Sequence, residues 1–421
     1  MDAFGYHDGQ LHCEATPLEA IADAVGTPTY VYSATAILSA FEAYDRALAD
    51  LPHLSCYAVK ANMNLAVLAL LAQAGAGADV TSGGELYRAL RAGFEPQRIL
   101  YAGPGKTRDE IREALKADIL GFQVESRAEL LVIDEVARAE GTRARIAIRI
   151  NPDIDPQTHP YIATGLRTSK FGIAHREARD VYRQAAGLAG IEVVGIHMHI
   201  GSQLTKVTPI ADALARLAEL LDGLGEDGIT LRYLDVGGGL GIRYRDEVPP
   251  SPGEYVRMLK PLLSRLGLTV ILEPGRSIVG NAGALLTRVL YRKTTEGRRF
   301  VIVDAAMNDL IRPALYNAYH EIRPVAEPPA GAAPEVADVV GPVCESGDFL
   351  AKERSLPPLA EGALLAVMSA GAYGFAMASN YNARLRPAEV LVHGDRFQVV
   401  RRRESYEDLV AGESPWSGPL P

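Results

Sequence analysis

The sequence is short of cysteine, of tryptophan and of positive charge, and each shortage narrows the field. Three cysteines in 421 residues, Cys13, Cys56 and Cys344, lie too far apart for a CxxC metal pair and are odd in number. They make no disulfide framework and suit a reducing cytoplasm. Lys and Arg number 43 against 52 Asp and Glu, a net charge of −9, so the basic face that a nucleic-acid partner requires is not expected. No apolar run approaches the roughly 18 residues that cross a bilayer. Met1–Glu14 is polar and acidic, without the basic and apolar regions of a secretion signal. The nine histidines, His159, His175 and His197 among them, show no HExxH-type spacing, so no metal is expected. The single tryptophan, Trp416, falls in a tail rich in Pro and Gly and receives no role. What remains is a cytoplasmic chain long enough for two domains, with no membrane or nucleic-acid partner.

The residues that are present are organised in two textures. From about residue 53 to 275, short β-rich runs alternate with longer amphipathic ones. The runs Leu54–Val59, Ala78–Thr81, Arg98–Ala102, Leu120–Val124, Arg145–Ile150, Val193–His197, Tyr233–Val236 and Thr269–Leu272 read as eight strands. Helical patterns lie between them, as in Leu65–Ala74, Arg108–Ala117 and Glu254–Leu266. This alternation predicts parallel βαβ units, and their number matches a closed TIM-like (β/α)8 barrel. A doubly wound open sheet is the alternative. After Gly280 helical periodicity fades. Strand-like runs at Leu286–Tyr291, Phe300–Val303, Val336–Val340, Ala363–Met368, Val390–His393 and Phe397–Arg401 predict an antiparallel β-sandwich or barrel domain. Pro324–Pro334 reads as a loop, and Thr29–Tyr32 as a strand that joins the second domain. The expected domains are therefore a barrel over 36–280 and a β domain built from 1–35 with 281–421.

Chemistry in such a barrel sits at the C-terminal ends of the strands, and the unusual residues fall there. Lys60 ends the first strand and His199 follows the sixth. Gly237–Gly239 follow the seventh, and Glu273-Pro-Gly-Arg276 closes the eighth. Each has a bland reading alone: a solvated lysine at a strand end, a hydrogen-bonded histidine near a core, a tight glycine turn. Together they are hard to explain as packing. Bare glycine N–H groups at this position suit a phosphate, and Arg276 adds a charge-assisted donor. A lysine beside a phosphate cradle points to a phosphorylated cofactor that bonds covalently to lysine. Pyridoxal 5′-phosphate (PLP) answers that description.

At these residues the chain resembles a known family. Tyr57-Ala-Val-Lys-Ala-Asn62, His199-Ile-Gly-Ser-Gln203, the three glycines and Glu273–Arg276 resemble the motifs of the alanine-racemase-fold (fold-type III) PLP-dependent decarboxylases. Within that group the chain is most similar to the diaminopimelate decarboxylase family. The supporting segments are His159–Gly165 leading to Ser169–Gly172, Asp304–Pro313, Cys344-Glu-Ser-Gly-Asp348 and Gly371–Asn382. The resemblance runs from about residue 25 to 393. It implies an enzyme that decarboxylates meso-2,6-diaminopimelate at its D-centre to L-lysine and CO2, the last step of lysine biosynthesis.

The resemblance also implies roles. Lys60 would hold PLP as a Schiff base, Glu273 would face the pyridine nitrogen, and His199 would stack on the ring. Ser202, Gly239, Tyr373 and the backbone of Gly275 and Arg276, with Pro274 alongside, would hold the rest of the cofactor. Arg276, Arg312 and Tyr316 would bind the distal carboxylate of the substrate, Glu345 its distal ammonium, and Tyr373 would contact it as well. Cys344 would give a proton to the carbanion carbon; a thiol with its ordinary pKa of about 8.5 is a competent acid. Its bland reading is a small buried apolar residue, the reading given to Cys13 and Cys56. In the family the Cys344 segment serves the site of a partner subunit, so a homodimer with shared active sites is implied. The alternatives are another basic-amino-acid decarboxylase of the same fold, a racemase, or a non-catalytic PLP-binding homologue. An ornithine or arginine enzyme would leave Arg312 a buried charge without a carboxylate to meet, which is costly.

Overall fold

The computed structural model describes residues 3–155, 164–165 and 169–418; His159 to Ala163 of the motif segment quoted above lie outside the described residues. The chain divides into two units, Ala34–Ala282 and Met1–Ser33 with Gly283–Pro421.

In the first unit eight parallel strands follow one another around a ring: His53–Ala58, Gly77–Val80, Ile99–Tyr101, Gly121–Val124, Ala144–Asn151, Ile191–His197, Tyr233–Asp235 and Thr269–Leu272. The eighth pairs with the first, Val270 opposite His53. That pairing closes the barrel and rules out the open sheet. The strands are short and almost wholly buried, as parallel strands covered on both faces must be. One end of the interior is packed by Leu54, Cys56, Leu100, Ala147, Val194, Tyr233 and Ile271. Gly195 makes room for that plug: a Cβ there would stand 2.3 Å from the Tyr233 ring. A short strand, Ile173–Ala174, adds to the end of the fifth.

The helices between the strands begin on side-chain caps. Ser82, Ser126 and Asn64 each accept a backbone N–H, and Thr107 with Glu110 and Ser251 with Glu254 form reciprocal capping boxes. Each such cap stabilises its helix by about 1 kcal/mol. One helix, Ala34–Leu48, precedes the first strand and escaped the sequence reading. Its buried Ile37, Phe41, Tyr44 and Leu48 keep helical spacing, but it lies before the βα alternation that drew attention.

The second unit is built on the long strand Gly283–Thr295. Thr29–Ser33, Arg298–Val303 and Leu364–Val367 pair with it antiparallel. Thr29–Ser33 in turn lies parallel to Ala388–His393, which forms a hairpin with Arg396–Arg401. Arg298–Val303 runs parallel to Glu335–Val340, and Phe349–Leu356 completes that side. The sheet is thus mostly antiparallel. Residues near the N-terminus supply part of its core: Phe4, Leu11, Leu18 and Ile21 pack with Val31, Leu286 and Val390. Burial of each such side chain is worth about 1.5–3 kcal/mol. Cys13 is buried in this core. Among the described residues no helix is long and apolar enough to cross a membrane.

Candidate active site

The first barrel strand ends in a tight turn, Val59–Ala61, that delivers Lys60 to the rim. Its Nζ lies 2.5 Å from Oδ2 of Asp79, which the second strand presents fully buried. Burial and the charge of Glu273 push the Asp79 carboxyl up to about 7 against the pull of Lys60. A second lysine near this rim, Lys106, differs in kind. It is enclosed by Glu129 at 2.7 Å and by the carbonyls of Gly103 and Gln123, each at 2.8 Å. That shell satisfies all three ammonium donors.

Glu273 leaves the eighth strand with only 5% of its surface exposed. Oε1 accepts from Nε2 of Gln123 at 2.8 Å, and Oε2 lies 3.5 Å from Nε2 of His197. Burial acts to raise its pKa, but the contact with His197 and the charge of Lys60 outweigh it and hold the carboxyl well below the usual range. Glu273 is an anion. His199 behaves oppositely: burial, then Arg149 and Lys60, hold its pKa well below the usual value. It is a neutral imidazole whose Nδ1 accepts the N–H of Gly238 at 3.2 Å. Thr164 donates to its carbonyl at 2.8 Å. Arg149 reaches the same carbonyl at 3.4 Å from a buried ion pair with Glu125.

The glycine loop admits no side chain. A Cβ on Gly238 would stand 2.1 Å from the Glu273 carbonyl, and one on Gly239, at φ +109°, 2.4 Å from that of Gly201. The N–H groups of Gly237 and Gly238 turn inward to Asp235 and His199. Leu204 and Gly241 fasten the loop to the segment after His199. Arg276 is buried beside it, donating to the Tyr244 hydroxyl at 2.6 Å and to Ser202 Oγ at 3.1 Å. Pro274 and Gly275 lie against the first strand: Ala58 N–H donates to the Pro274 carbonyl at 3.1 Å, and a Gly275 Cβ would meet that of Ala58 at 3.0 Å. Lys60, His199, Ser202, Gly239, Glu273, Pro274, Gly275 and Arg276 are all in the barrel unit.

The other candidates belong to the sheet unit. Arg312 is buried at the start of the short helix Arg312–Tyr316, with Tyr316 half-buried at its end. Nη1 of Arg312 meets Nε2 of His320 at 3.2 Å, while Nδ1 of His320 lies 2.8 Å from the Met368 carbonyl. A proton on Nδ1 leaves Nε2 as the acceptor, so His320 aims the guanidinium. Cys344 and Glu345 are exposed. The Cys344 N–H donates to Asn382 at 2.7 Å, and the Tyr381 hydroxyl donates to Glu345 at 3.2 Å. Asp348 holds the segment from behind, taking the N–H groups of Met307 and Val343, each at 2.7 Å. Tyr373 is half-buried in the left-handed region, φ +56°.

Residues 34–280 match the family described as pyridoxal-dependent decarboxylase, pyridoxal binding domain. A diaminopimelate decarboxylase of Pseudomonas aeruginosa is 56% identical over 98% of this chain and 99% of its own. The chain belongs to the diaminopimelate decarboxylase family. An Aquifex aeolicus relative of the same name is 52% identical over 96% of each chain. Among solved structures, a diaminopimelate decarboxylase from Helicobacter pylori complexed with L-lysine superimposes with a TM-score of 0.90 at 46% identity, covering 94% of this chain and 98% of that one. One from M. jannaschii, also with L-lysine, gives 0.93 at 38%, covering 98% of each.

The donor set fits PLP. The barrel rim combines a lysine, Lys60, a buried anion, Glu273, a neutral imidazole, His199, and a glycine loop that excludes every side chain. Several buried polar groups of this mouth were not singled out from the sequence: Asp79, Gln123, Glu125, Arg149, His197 and Asp235. A signal for four of them exists in hindsight. Asp79, Gln123, Arg149 and Asp235 each interrupt an apolar run near the C-terminal end of its strand. His197, Asp235 and Glu273 bring ligand-type atoms within 4.8 Å of one another, a trio from three strands that no local spacing motif announces. Gln123 and Gly237 already donate to its two carboxylates.

Proposed function

We propose that this enzyme removes CO2 from meso-2,6-diaminopimelate at its D-centre to give L-lysine, with PLP held on Lys60. The observation that carries the chemistry is Lys60 at 2.5 Å from Asp79 on the same rim as the anionic Glu273. When bound, PLP supplies the electron sink for the charge left by departing CO2. Asp79, made more basic by burial and by Glu273, takes the ammonium proton of Lys60 and leaves the amine able to attack a carbonyl. Glu273 would favour the protonated ring nitrogen. His199, neutral and fixed by Gly238, would lie against the ring without adding a charge. With the Gly237 and Gly238 N–H groups already engaged, Gly239, the backbone of Gly275 and Arg276, and Ser202 would hold the phosphate, and the family resemblance adds the Tyr373 hydroxyl.

Substrate choice rests on the distal end. Arg312, aimed by His320, presents a planar fork suited to a carboxylate, and the family resemblance gives Arg276 and Tyr316 the same role. Tyr373 contacts the substrate as well, and Glu345 accepts the distal ammonium. Cys344 gives the proton that replaces CO2. Cys344 and Glu345 serve the site of a second copy, so the working unit is a cytoplasmic homodimer. The support is the family resemblance, the free cysteines and the exposure of these two side chains on their own unit. The L-lysine complexes of the H. pylori and M. jannaschii relatives agree with lysine as product. CO2 and lysine are measured with meso- and LL-diaminopimelate, ornithine and arginine. Turnover of the meso compound alone supports the proposal; turnover of ornithine or arginine in its place contradicts the role of Arg312.

A further inference from the structure

We infer that Asp235 is a positioning residue that works as an un-ionised carboxylic acid, tying the glycine loop to Glu273 while leaving Glu273 the only anion of the pair. Asp235 ends the seventh strand with none of its surface exposed. Its Oδ1 accepts the Gly237 N–H at 2.9 Å, and its Oδ2 accepts from Nε2 of Gln123. The same nitrogen donates to Oε1 of Glu273 at 2.8 Å. One amide with two protons therefore bridges the carboxyl groups, and those groups lie within 4.8 Å of each other.

Two anions this close in a dry interior repel strongly, so one carboxyl keeps a proton. The surroundings decide which. Glu273 faces His197, with the Lys60 ammonium adding to the field that favours its charge. Asp235 has no cation within ion-pair distance among the described residues. Its neighbours are Glu273, Asp79, the Cys56 thiol and the Tyr233 and Tyr255 phenols, with His197 within 4.8 Å. The Gly237 N–H and the Gln123 amide favour its anion, and burial and Glu273 outweigh them. The proton therefore sits on Asp235. An acid there holds the loop through one oxygen and offers a donor to Glu273 through the other.

This rests on the reading of Glu273 as the partner of the ring nitrogen, yet its test is separable. Infrared difference spectra of the holoenzyme at pH 8 compare wild type with Asp235→Asn. The expected result is loss in the variant of a protonated-carboxyl C=O band that shifts in D2O. An Asn keeps an acceptor for Gly237 and a donor toward Glu273 and gives up only the acceptor for Gln123, so PLP affinity and kcat/KM fall by less than about tenfold. Asp235→Ala removes the acceptor, and PLP affinity falls at least about tenfold. The inference is overturned if no acid band disappears, or if Asp235→Asn loses PLP as Asp235→Ala does. Should the alanine variant fail to fold, the spectra of the other pair still decide. Glu273→Gln separates the two ideas: full activity there sinks the role of Glu273, while the acid band still reports on Asp235.

Discussion

The two units hold their candidate residues in different ways. In the barrel each side chain is gripped by a neighbour: Lys60 by Asp79, Glu273 by Gln123 and His197, His199 by the Gly238 N–H, Arg276 by Tyr244 and Ser202. In the sheet unit Arg312 is fixed in this fashion by His320. Cys344 and Glu345 are held mainly from the backbone side, by Asn382 and Asp348, and remain exposed. Groups that fix a cofactor must not move between turnovers, and burial on rigid strands secures that. Groups that meet a substrate from another subunit must project from their own core. On the proposed assignment, the contrast separates a preorganised cofactor site from a substrate site presented to a second copy.

Substitutions test that contrast, starting where the effect is greatest. Lys60→Ala should lower kcat by on the order of 10⁴-fold or more in the CO2 assay without lowering Tm appreciably. Cys344→Ala should lower kcat by about 10²–10⁴-fold and leave PLP binding, read by absorbance, unchanged. Mixing it with Lys60→Ala should restore about a quarter of the wild-type rate, since half the dimers carry one intact site of two. No restoration would place Cys344 in its own subunit's site. Glu273→Gln should cost about 10²–10³ in kcat and bring the cofactor absorbance under pH control. Arg312→Met should lower kcat/KM for meso-diaminopimelate by about 30-fold or more, mostly through KM.

The smallest effect concerns stability. Burial pushes the Asp309 carboxyl of the sheet unit up to about 7. A raised carboxyl stabilises the fold below its ordinary value of about 4, and that contribution is lost as pH rises through the folded value. Tm should therefore fall by about 2–4 °C between pH 5 and 8 from this residue, and Asp309→Asn should remove that part of the slope.

The barrel was legible because its strands are apolar runs bounded by helical patterns, and all eight end within one residue of their expected C-terminal limit. The motif residues were legible because they stand at strand ends. What escaped follows from geometry. Asp79, Gln123 and Asp235 meet only when eight strands close, and sequence distance carries no trace of that meeting. His320 is invisible for the same reason, since its worth lies in the guanidinium it aims. The strand Phe349–Leu356 was missed because Lys352, Glu353 and Arg354 give it the charge of an edge, which hides strand patterning. Its pairing with Glu335–Val340 outweighs that local signal.

The most direct test is borohydride reduction of the protein with PLP, followed by peptide mass mapping. The barrel rim described above predicts a single pyridoxyl group on Lys60, absent in Lys60→Ala. A label on Lys106 or another lysine, or none at all, would contradict the assignment of this rim as the cofactor site.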